Sequence, residues 1–368
     1  MEDLAHSRQS PESPIPFGDF LNPGWDRSPR PAIQMALLEL FREQALFASR
    51  NTSFWRERVP EGLVTRPRLS RQDIESIPIL TKSDLRLLHS DDLLPEPFRP
   101  FHVVRGTGGT TGAPVHIFWT WEEWQAATEA IVRYLSRLEH IRPLRVWNGY
   151  NQAHAAGPSF DDAVRLLGGT PLTRHFRCTD AQAVEEIGRL SANVLVLPPK
   201  SGSDKGGGLQ DLLAVDPNFL RRFSIRGLLL SSCAADEELL EEVCQEGVEV
   251  VINLYGSTEI FPTAVSCEAS PNSLHLSQGH VFVEVVDESG RHVRSGQKGR
   301  VVVSRIGARA ARGIGVARGT QLLRLAVGDW ATYVDEPCPC GRSSPRLLGI
   351  ERVSYKDEKL EGGCERWD

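Results

Sequence analysis

The segment most able to do chemistry reads Thr107-Gly-Gly-Thr-Thr-Gly-Ala-Pro114. Gly108, Gly109 and Gly112 let the backbone turn tightly and come close to a ligand. Consecutive amides there, with the Thr107, Thr110 and Thr111 hydroxyls, form a nest suited to phosphate oxygens. No Gly-Lys-Ser/Thr follows, so it is not a Walker A loop. A second segment, Tyr255-Gly-Ser-Thr-Glu259, follows the apolar run 248–254. In open α/β sheets ligands bind beyond the carboxyl ends of strands. Tyr255 can stack on a base, Thr258 can bond a phosphate, and Glu259 can hold Mg²⁺ through a hard oxygen. The competing interpretations are an ordinary Gly/Thr turn for the first segment and a capped strand end for the second. A third group is Cys267, His275 and the pair Cys338-x-Cys340. Three thiolates and an imidazole complete a tetrahedral zinc set, although Cys-x-Cys is tighter than the usual structural spacing. The alternative is free thiols. His280 is the substitute ligand if His275 points away.

The surrounding pattern indicates what must position these groups. The runs 145–150, 193–197, 227–230 and 248–254 are short, apolar and β-prone, with helix-like stretches at 161–167, 180–190 and 236–246 between them. This alternation predicts an α/β sheet flanked by helices. Helical spacing also marks 34–50 and 121–138. Trp119, Trp121 and Trp124, beside the Gly/Thr loop, read as helix-packing anchors. Past residue 262, strands at 280–287 and 300–306 around a turn at 288–290 predict a smaller β-rich unit. The expected division is a proline-rich tail or arm at 1–31, an α/β core at 32–262, a β-rich subdomain at 263–350 and a stub at 351–368. The stretch 305–319, four arginines among Gly and Ala, reads as a mobile solvated loop, with a phosphate or carrier-protein contact as the alternative.

Composition limits the function classes. Of 368 residues, 40% are hydrophobic and 24% charged, and the net charge of −6 argues against wholesale nucleic-acid binding. No long apolar run or charged-then-apolar leader is readable, so no membrane span or signal peptide is expected. Seven scattered cysteines do not suit a secreted disulfide framework. A cytoplasmic enzyme or binding protein is therefore expected. Cys178, Cys233, Cys244 and Cys364 read as unpaired core or surface thiols.

Taken together, the two loops resemble the phosphate and nucleotide motifs of the adenylate-forming enzymes, and the similarity narrows to the phenylacetate–CoA ligase branch. Further segments carry it in order: Asn51-Thr-Ser-Phe-Trp-Arg56, Ile77-Pro-Ile-Leu-Thr-Lys-Ser-Asp-Leu85, Val146-Trp-Asn-Gly-Tyr150, Gly299-Arg-Val-Val-Val303 and Cys338-Pro-Cys-Gly-Arg342. The resemblance implies the family's large N-terminal domain, mixed sheets sandwiched by helices, with a β-rich zinc-containing subdomain. It implies ATP on Thr107 to Gly112 and on Tyr255, Gly256, Ser257 and Asp329, the last as ribose ligand. It implies Thr258 on a phosphate, Glu259 on Mg²⁺, and structural Zn²⁺ on Cys267, His275, Cys338 and Cys340. The implied reaction is attack of a small carboxylate, with an aryl acid expected, on the ATP α-phosphate, for transfer to CoA, a carrier protein or an amine in a biosynthetic pathway. The acid is expected against Trp147, Tyr150, His154 and Gly157.

The sequence departs from the family pattern at three places. It stops at Asp368, where the family continues into a lid domain that supplies a lysine to the α-phosphate; only Lys356 and Lys359 follow the blurred hinge Gly349-Ile-Glu-Arg352. Leu325-Ala-Val-Gly328 replaces a more polar stretch, and the 305–319 segment is long. The expectation is a chain without the lid, whose missing function falls to a partner or to another residue; a homodimer is left open. The alternative is a non-adenylating relative that binds an acyl or nucleotide ligand as a scaffold, or transfers a pre-activated acyl group.

Overall fold

The computed structural model describes residues 17–95, 103–106, 115–152, 155–175, 178–201 and 207–352. Two strands, β1 (Val103–Gly106) and β2 (His116–Trp119), pair antiparallel on either side of segment 107–114. The apolar runs form β3 (Arg145–Asn148), β5 (Val194–Leu197), β6 (Gly227–Ser231) and β7 (Val250–Tyr255), and a fifth strand, β4 (Thr170–Thr173), lies at the edge. These five run parallel. β5 and β6 are buried at every position, which accounts for their unbroken apolar sequences. β4 breaks that rule because it is an edge strand, where Pro171 and two threonines are tolerated.

Helices cover both faces of the parallel half. α3 (Trp121–Leu135) and α4 (Ala156–Leu166) pack on one face, and α5 (Asp180–Arg189), α6 (Leu209–Val215) and α7 (Glu237–Gln245) on the other. Two earlier helices are α1 (Arg30–Asn51) and α2 (Lys82–Leu87). Local sequence fixes several helix starts. Thr120 and Glu123 form a capping box on α3, Thr81 and Asp84 one on α2, and Asp236 caps α7. Among the described residues no helix is long and apolar enough to cross a membrane.

At β7 the sheet changes character. β8 (Ala264–Cys267) pairs antiparallel with it, and β9 (Ser270–Leu276), β10 (Val281–Val286), β11 (Lys298–Arg305), β14 (Leu325–Val334) and β15 (Arg346–Arg352) extend the same sheet to eleven strands. Two short strands, β12 (Ala308–Arg309) and β13 (Ile314–Gly315), stand apart as a hairpin. The strands after residue 262 thus continue the parallel half edge to edge.

Two regions differ from their sequence-based expectation. Within the proline-rich 1–31 stretch, Phe17, Phe20 and Trp25 are buried in the main core, and Asp26 pairs with the buried Arg133 at 3.1 Å. Proline content suggested a tail or arm and gave no sign of the three aromatic anchors. The 305–319 segment is a docked hairpin in place of a solvated loop. Arg309 pairs with Glu129 of α3 at 3.2 Å, and Arg305 with Glu123 of α3 at 3.1 Å. Its small residues let the backbone lie against α3, whose carboxylates take up the arginines. A Cβ on Gly319 would fall 2.2 Å from the Phe118 carbonyl oxygen.

Candidate functional site

Tyr255 ends β7 and the turn Gly256 to Glu259 follows it, at the carboxyl end of the parallel strands. The turn is closed by reciprocal backbone bonds between Ser257 and Ile260. Gly256 is required sterically, since a Cβ would sit 2.5 Å from the Phe261 ring. Thr258 and Glu259 are buried. Ser257 Oγ is buried with no hydrogen-bond partner among the described residues.

Four other elements converge on this turn. Asp329 of β14 is buried; its Oδ2 accepts from the Tyr255 hydroxyl at 2.7 Å and its Oδ1 from Arg352 Nε of β15 at 3.0 Å. Burial and the adjacent Asp329 charge push the Tyr255 phenol well above its usual range, so it remains a donor. Lys82, the first residue of α2, places its ammonium 3.1 Å from Glu259 Oε1. Arg305 closes the base, donating to the Glu259 carbonyl oxygen at 2.7 Å. The fields of Asp329, Tyr255 and Glu259 all act on Arg352, which places the four within electrostatic reach of one another. A buried carboxylate of this kind is a hard oxygen donor that fits Mg²⁺, and the unpartnered Ser257 hydroxyl suits a polar ligand atom.

The expected acid-binding residues do not all converge. Tyr150 stacks on Phe160, with ring centroids 5.8 Å apart, and its hydroxyl lies 3.2 Å from Ser232 Oγ beyond the end of β6. Ser232 has φ of +80°, a strained conformation for a residue other than glycine. Gly157 lies in the first turn of α4, where its carbonyl accepts from Asn148 Nδ2 at 2.8 Å. Trp147 is a correction: it is fully buried in the core on the opposite face of the sheet, its Nε1 donating to Glu186 of α5 at 3.1 Å. Thr107, Gly108, Gly109, Thr110, Thr111, Gly112 and His154 lie outside the described residues. Of the tryptophans near the Gly/Thr segment, Trp119 and Trp124 pack edge to face at 6.0 Å, whereas Trp121 is exposed. A cavity of about 400 Å³ opens between α1 and the antiparallel strands beside Arg71, Phe282, His292 and Tyr333; neither Tyr255, Glu259 nor Asp329 lines it.

The cysteine–histidine group is assembled by β8, β9 and the loop before β15. Ligand atoms of Cys267, His275, Cys338 and Cys340 all lie within 4.8 Å of one another. Cys267 Sγ and Cys338 Sγ are 3.7 Å apart, and Cys340 Sγ is 3.3 Å from His275 Nε2. A tetrahedral zinc ion separates its sulfur and nitrogen ligands by about 3.5–3.8 Å, so the donor set fits that metal. His275 Nδ1 donates to the Ser344 carbonyl at 2.9 Å, which leaves Nε2 as the free lone pair. Burial lowers the His275 pKa to about 4, so the ring is neutral near pH 7.

His280 is not part of this group. Its Nε2 donates to the Pro262 carbonyl at 3.0 Å, and burial first, then the Arg133 charge, lowers its pKa to about 3. Because the folded value lies below the unfolded one, near 6.5, its contribution is complete above pH 6.5 and is lost as pH falls toward 3. By pH 5 this single ring should remove about 2 kcal/mol of stability. His280→Gln, which keeps the donor to Pro262, is expected to show a smaller fall in Tm between pH 7 and pH 5 than the wild type. Equal slopes would refute the assignment.

Lys82 and Arg352 join the site without a role expected from the sequence, and Arg305, at the overlap of the expected strand 300–306 and the expected loop 305–319, is buried beneath it. Lys82 carried a usable signal, since only six of the 42 basic residues are lysine.

No protein-family model matches the chain. It is 24% identical over 331 residues to a phenylacetate-coenzyme A ligase of Thermus thermophilus, covering 88% of this chain and 71% of that one. A solved structure of 2-hydroxyisobutyryl-CoA ligase, in complex with 2-HIB-AMP and CoA in the thioesterification state, matches with a TM-score of 0.76 at 20% identity, over 90% of this chain and 71% of that chain. Its open conformation, also with 2-HIB-AMP and CoA, matches at 0.73 and 19% identity, over 89% and 76%. The structural likeness extends across both halves of the sheet.

Proposed function

We propose that this chain, a member of the adenylate-forming superfamily in its phenylacetate–CoA-ligase-like branch, activates a small carboxylic acid with ATP to give an acyl-adenylate. The observation that carries the proposal is the convergence of Tyr255, Asp329, Glu259 and Lys82 at the carboxyl end of β7. One substrate carboxylate oxygen attacks the α-phosphorus, the bond to the bridging oxygen breaks, and pyrophosphate leaves with the electron pair. Such chemistry depends on positioning and on charge neutralisation.

The residues divide that work. Asp329 accepts the ribose hydroxyls on its remaining lone pairs, while Tyr255 and Arg352 hold the carboxylate in place. Tyr255, tethered through its hydroxyl, presents its ring for stacking. The Ser257 and Thr258 hydroxyls and the Gly/Thr segment 107–112 take phosphate oxygens. Glu259 would hold Mg²⁺, which supplies neutralisation of phosphate charge when bound. Lys82 steadies Glu259 and has two further N–H donors for the phosphates. Tyr150, Ser232 and Gly157 border the acid, and an aryl acid suits stacking on Tyr150. Activated acyl transfer to CoA is the second half-reaction that the relatives support; a carrier protein or amine is the other acceptor class. Cys267, His275, Cys338 and Cys340 would hold a structural zinc with no open coordination position.

Acid-dependent exchange of labelled pyrophosphate into ATP, run over a panel of aryl and aliphatic acids with Glu259→Ala as control, tests this function. Signal with at least one acid, abolished in the control, is expected. No signal with any acid, together with no ATP binding by calorimetry, would falsify the proposal and favour a non-adenylating binding protein.

A further inference from the structure

Arg305, the last residue of β11, is 2% exposed, yet its guanidinium touches three separate elements. Nη2 donates to the Glu259 carbonyl oxygen at 2.7 Å; Nη1 donates to the Phe118 carbonyl oxygen and to Glu123 Oε1, both at 3.1 Å. Its Cζ lies over the Trp119 ring, 3.7 Å from the centroid. Phe118 and Trp119 belong to β2, the strand that follows the Gly/Thr segment. Glu123 is itself held by the backbone N–H groups of Thr120 and Gly319, at 2.7 and 2.9 Å. The Thr320 amide completes the tie, donating to Phe118 O at 3.0 Å. One buried cation therefore joins the turn that carries Glu259 to the strand behind the Gly/Thr segment. Its Nε has no partner among the described residues. Burying a guanidinium with an unmet donor costs stability, so packing alone does not account for it.

We infer that Arg305 is a positioning residue for nucleotide activation, holding the Glu259 turn in fixed register with β2, the strand that follows the Gly/Thr segment in the chain. The inference rests on the adenylation proposal above. It follows from geometry that lysine cannot replace Arg305. A single ammonium cannot span acceptors on β2, α3 and the Glu259 turn, and it lacks the planar face that lies on Trp119. Displacing the Glu259 turn by a fraction of an ångström relative to β2 weakens metal–nucleotide placement without touching the acid.

The test measures pyrophosphate exchange against Mg²⁺ and acid concentration for four proteins. Arg305→Lys is expected to raise the Mg²⁺ needed for half-maximal exchange and to lower the maximal rate about tenfold to a hundredfold, with the KM for the acid unchanged. Trp119→Phe loses no hydrogen bond seen among the described residues, where Trp119 Nε1 has no partner, and should shift the same quantities less. It also serves if Arg305→Lys does not fold. Arg133→Lys is the matched control: Arg133 is equally buried and also serves three acceptors, Asp26, Phe20 O and Gln278 O. It should lower Tm and leave the Mg²⁺ dependence unchanged. Wild-type Mg²⁺ dependence in both Arg305→Lys and Trp119→Phe, or the same shift in Arg133→Lys, overturns the inference while leaving adenylation intact. A wild-type chain without exchange overturns the adenylation proposal and this inference with it.

Discussion

Glu259→Gln is expected to reduce acid-dependent pyrophosphate exchange by about 10²–10³-fold, the scale for removing one preorganised electrostatic group, with little change in Tm. Glutamine is nearly isosteric and can still accept from Lys82, so the buried turn keeps its packing and loses only its charge. Lys82→Met should behave in the opposite way. Glu259 is 2% exposed at the side chain and Lys82 27%, so removing the ammonium strands a carboxylate in a nearly water-free position. Breaking a fully buried pair costs about 3–5 kcal/mol; the partial exposure of Lys82 reduces this to about 1–3 kcal/mol. If Glu259 holds Mg²⁺, adding MgATP replaces the lost cation, and Lys82→Met gains more Tm from MgATP than the wild type does. Metal-free ATP should not produce that gain. Calorimetric melting of the three proteins with and without MgATP separates the cases. Undiminished exchange by Glu259→Gln would remove Glu259 from the site.

The parallel strands were legible because burial on both faces writes itself as an unbroken apolar run. β4 was not, because an edge strand admits proline and threonine. The turn with Tyr255 and Glu259 was legible as a motif, since its residues are contiguous. Arg305 was legible as the end of an expected strand but not as a buried tie: the Glu123 that it pairs with lies 182 positions away, and the Gly- and Ala-rich stretch it opens looks like solvated loop. Trp147 illustrates a misjudged pattern. Within the expected strand run 145–150, residues 147 and 150 differ by an odd number, and side chains on a strand alternate faces; that period already sets Trp147 apart from Tyr150, and the two cores separate them even though β3 ends at Asn148. His275 against His280 could not be decided by spacing. β9 carries His275 to Cys340, whereas His280 falls just before β10 and turns to Pro262.

Protein isolated without added zinc is expected to contain about one zinc per chain, and Cys338→Ser or exhaustive chelation should lower Tm sharply. The size of the effect follows from what the four ligands join. Cys267 ends β8, His275 lies in β9, and Cys338 and Cys340 sit in the loop that leads to β15, so a metal there ties three segments of the antiparallel half. Structural zinc sites supply about 10–16 kcal/mol of apparent binding energy when the ligands fold with the metal; only part is lost here because β8, β9 and β15 also pair through their backbones. A Cys₃His zinc centre carries a net negative charge, and cations surround it. Arg342 donates its amide to Cys340 Sγ at 3.4 Å, its guanidinium lies over Tyr134, and Arg137 is close enough to feel both Cys267 and Cys340. Arg137→Gln should therefore weaken zinc retention against a competing chelator while leaving the ligands in place. The rival chemistry is a Cys267–Cys338 disulfide, but the sulfurs are 3.7 Å apart, against about 2.05 Å for that bond. Metal analysis together with thiol counting under denaturing conditions distinguishes the two. Well-folded protein with substoichiometric zinc, or with two fewer titratable thiols, would exclude the zinc site.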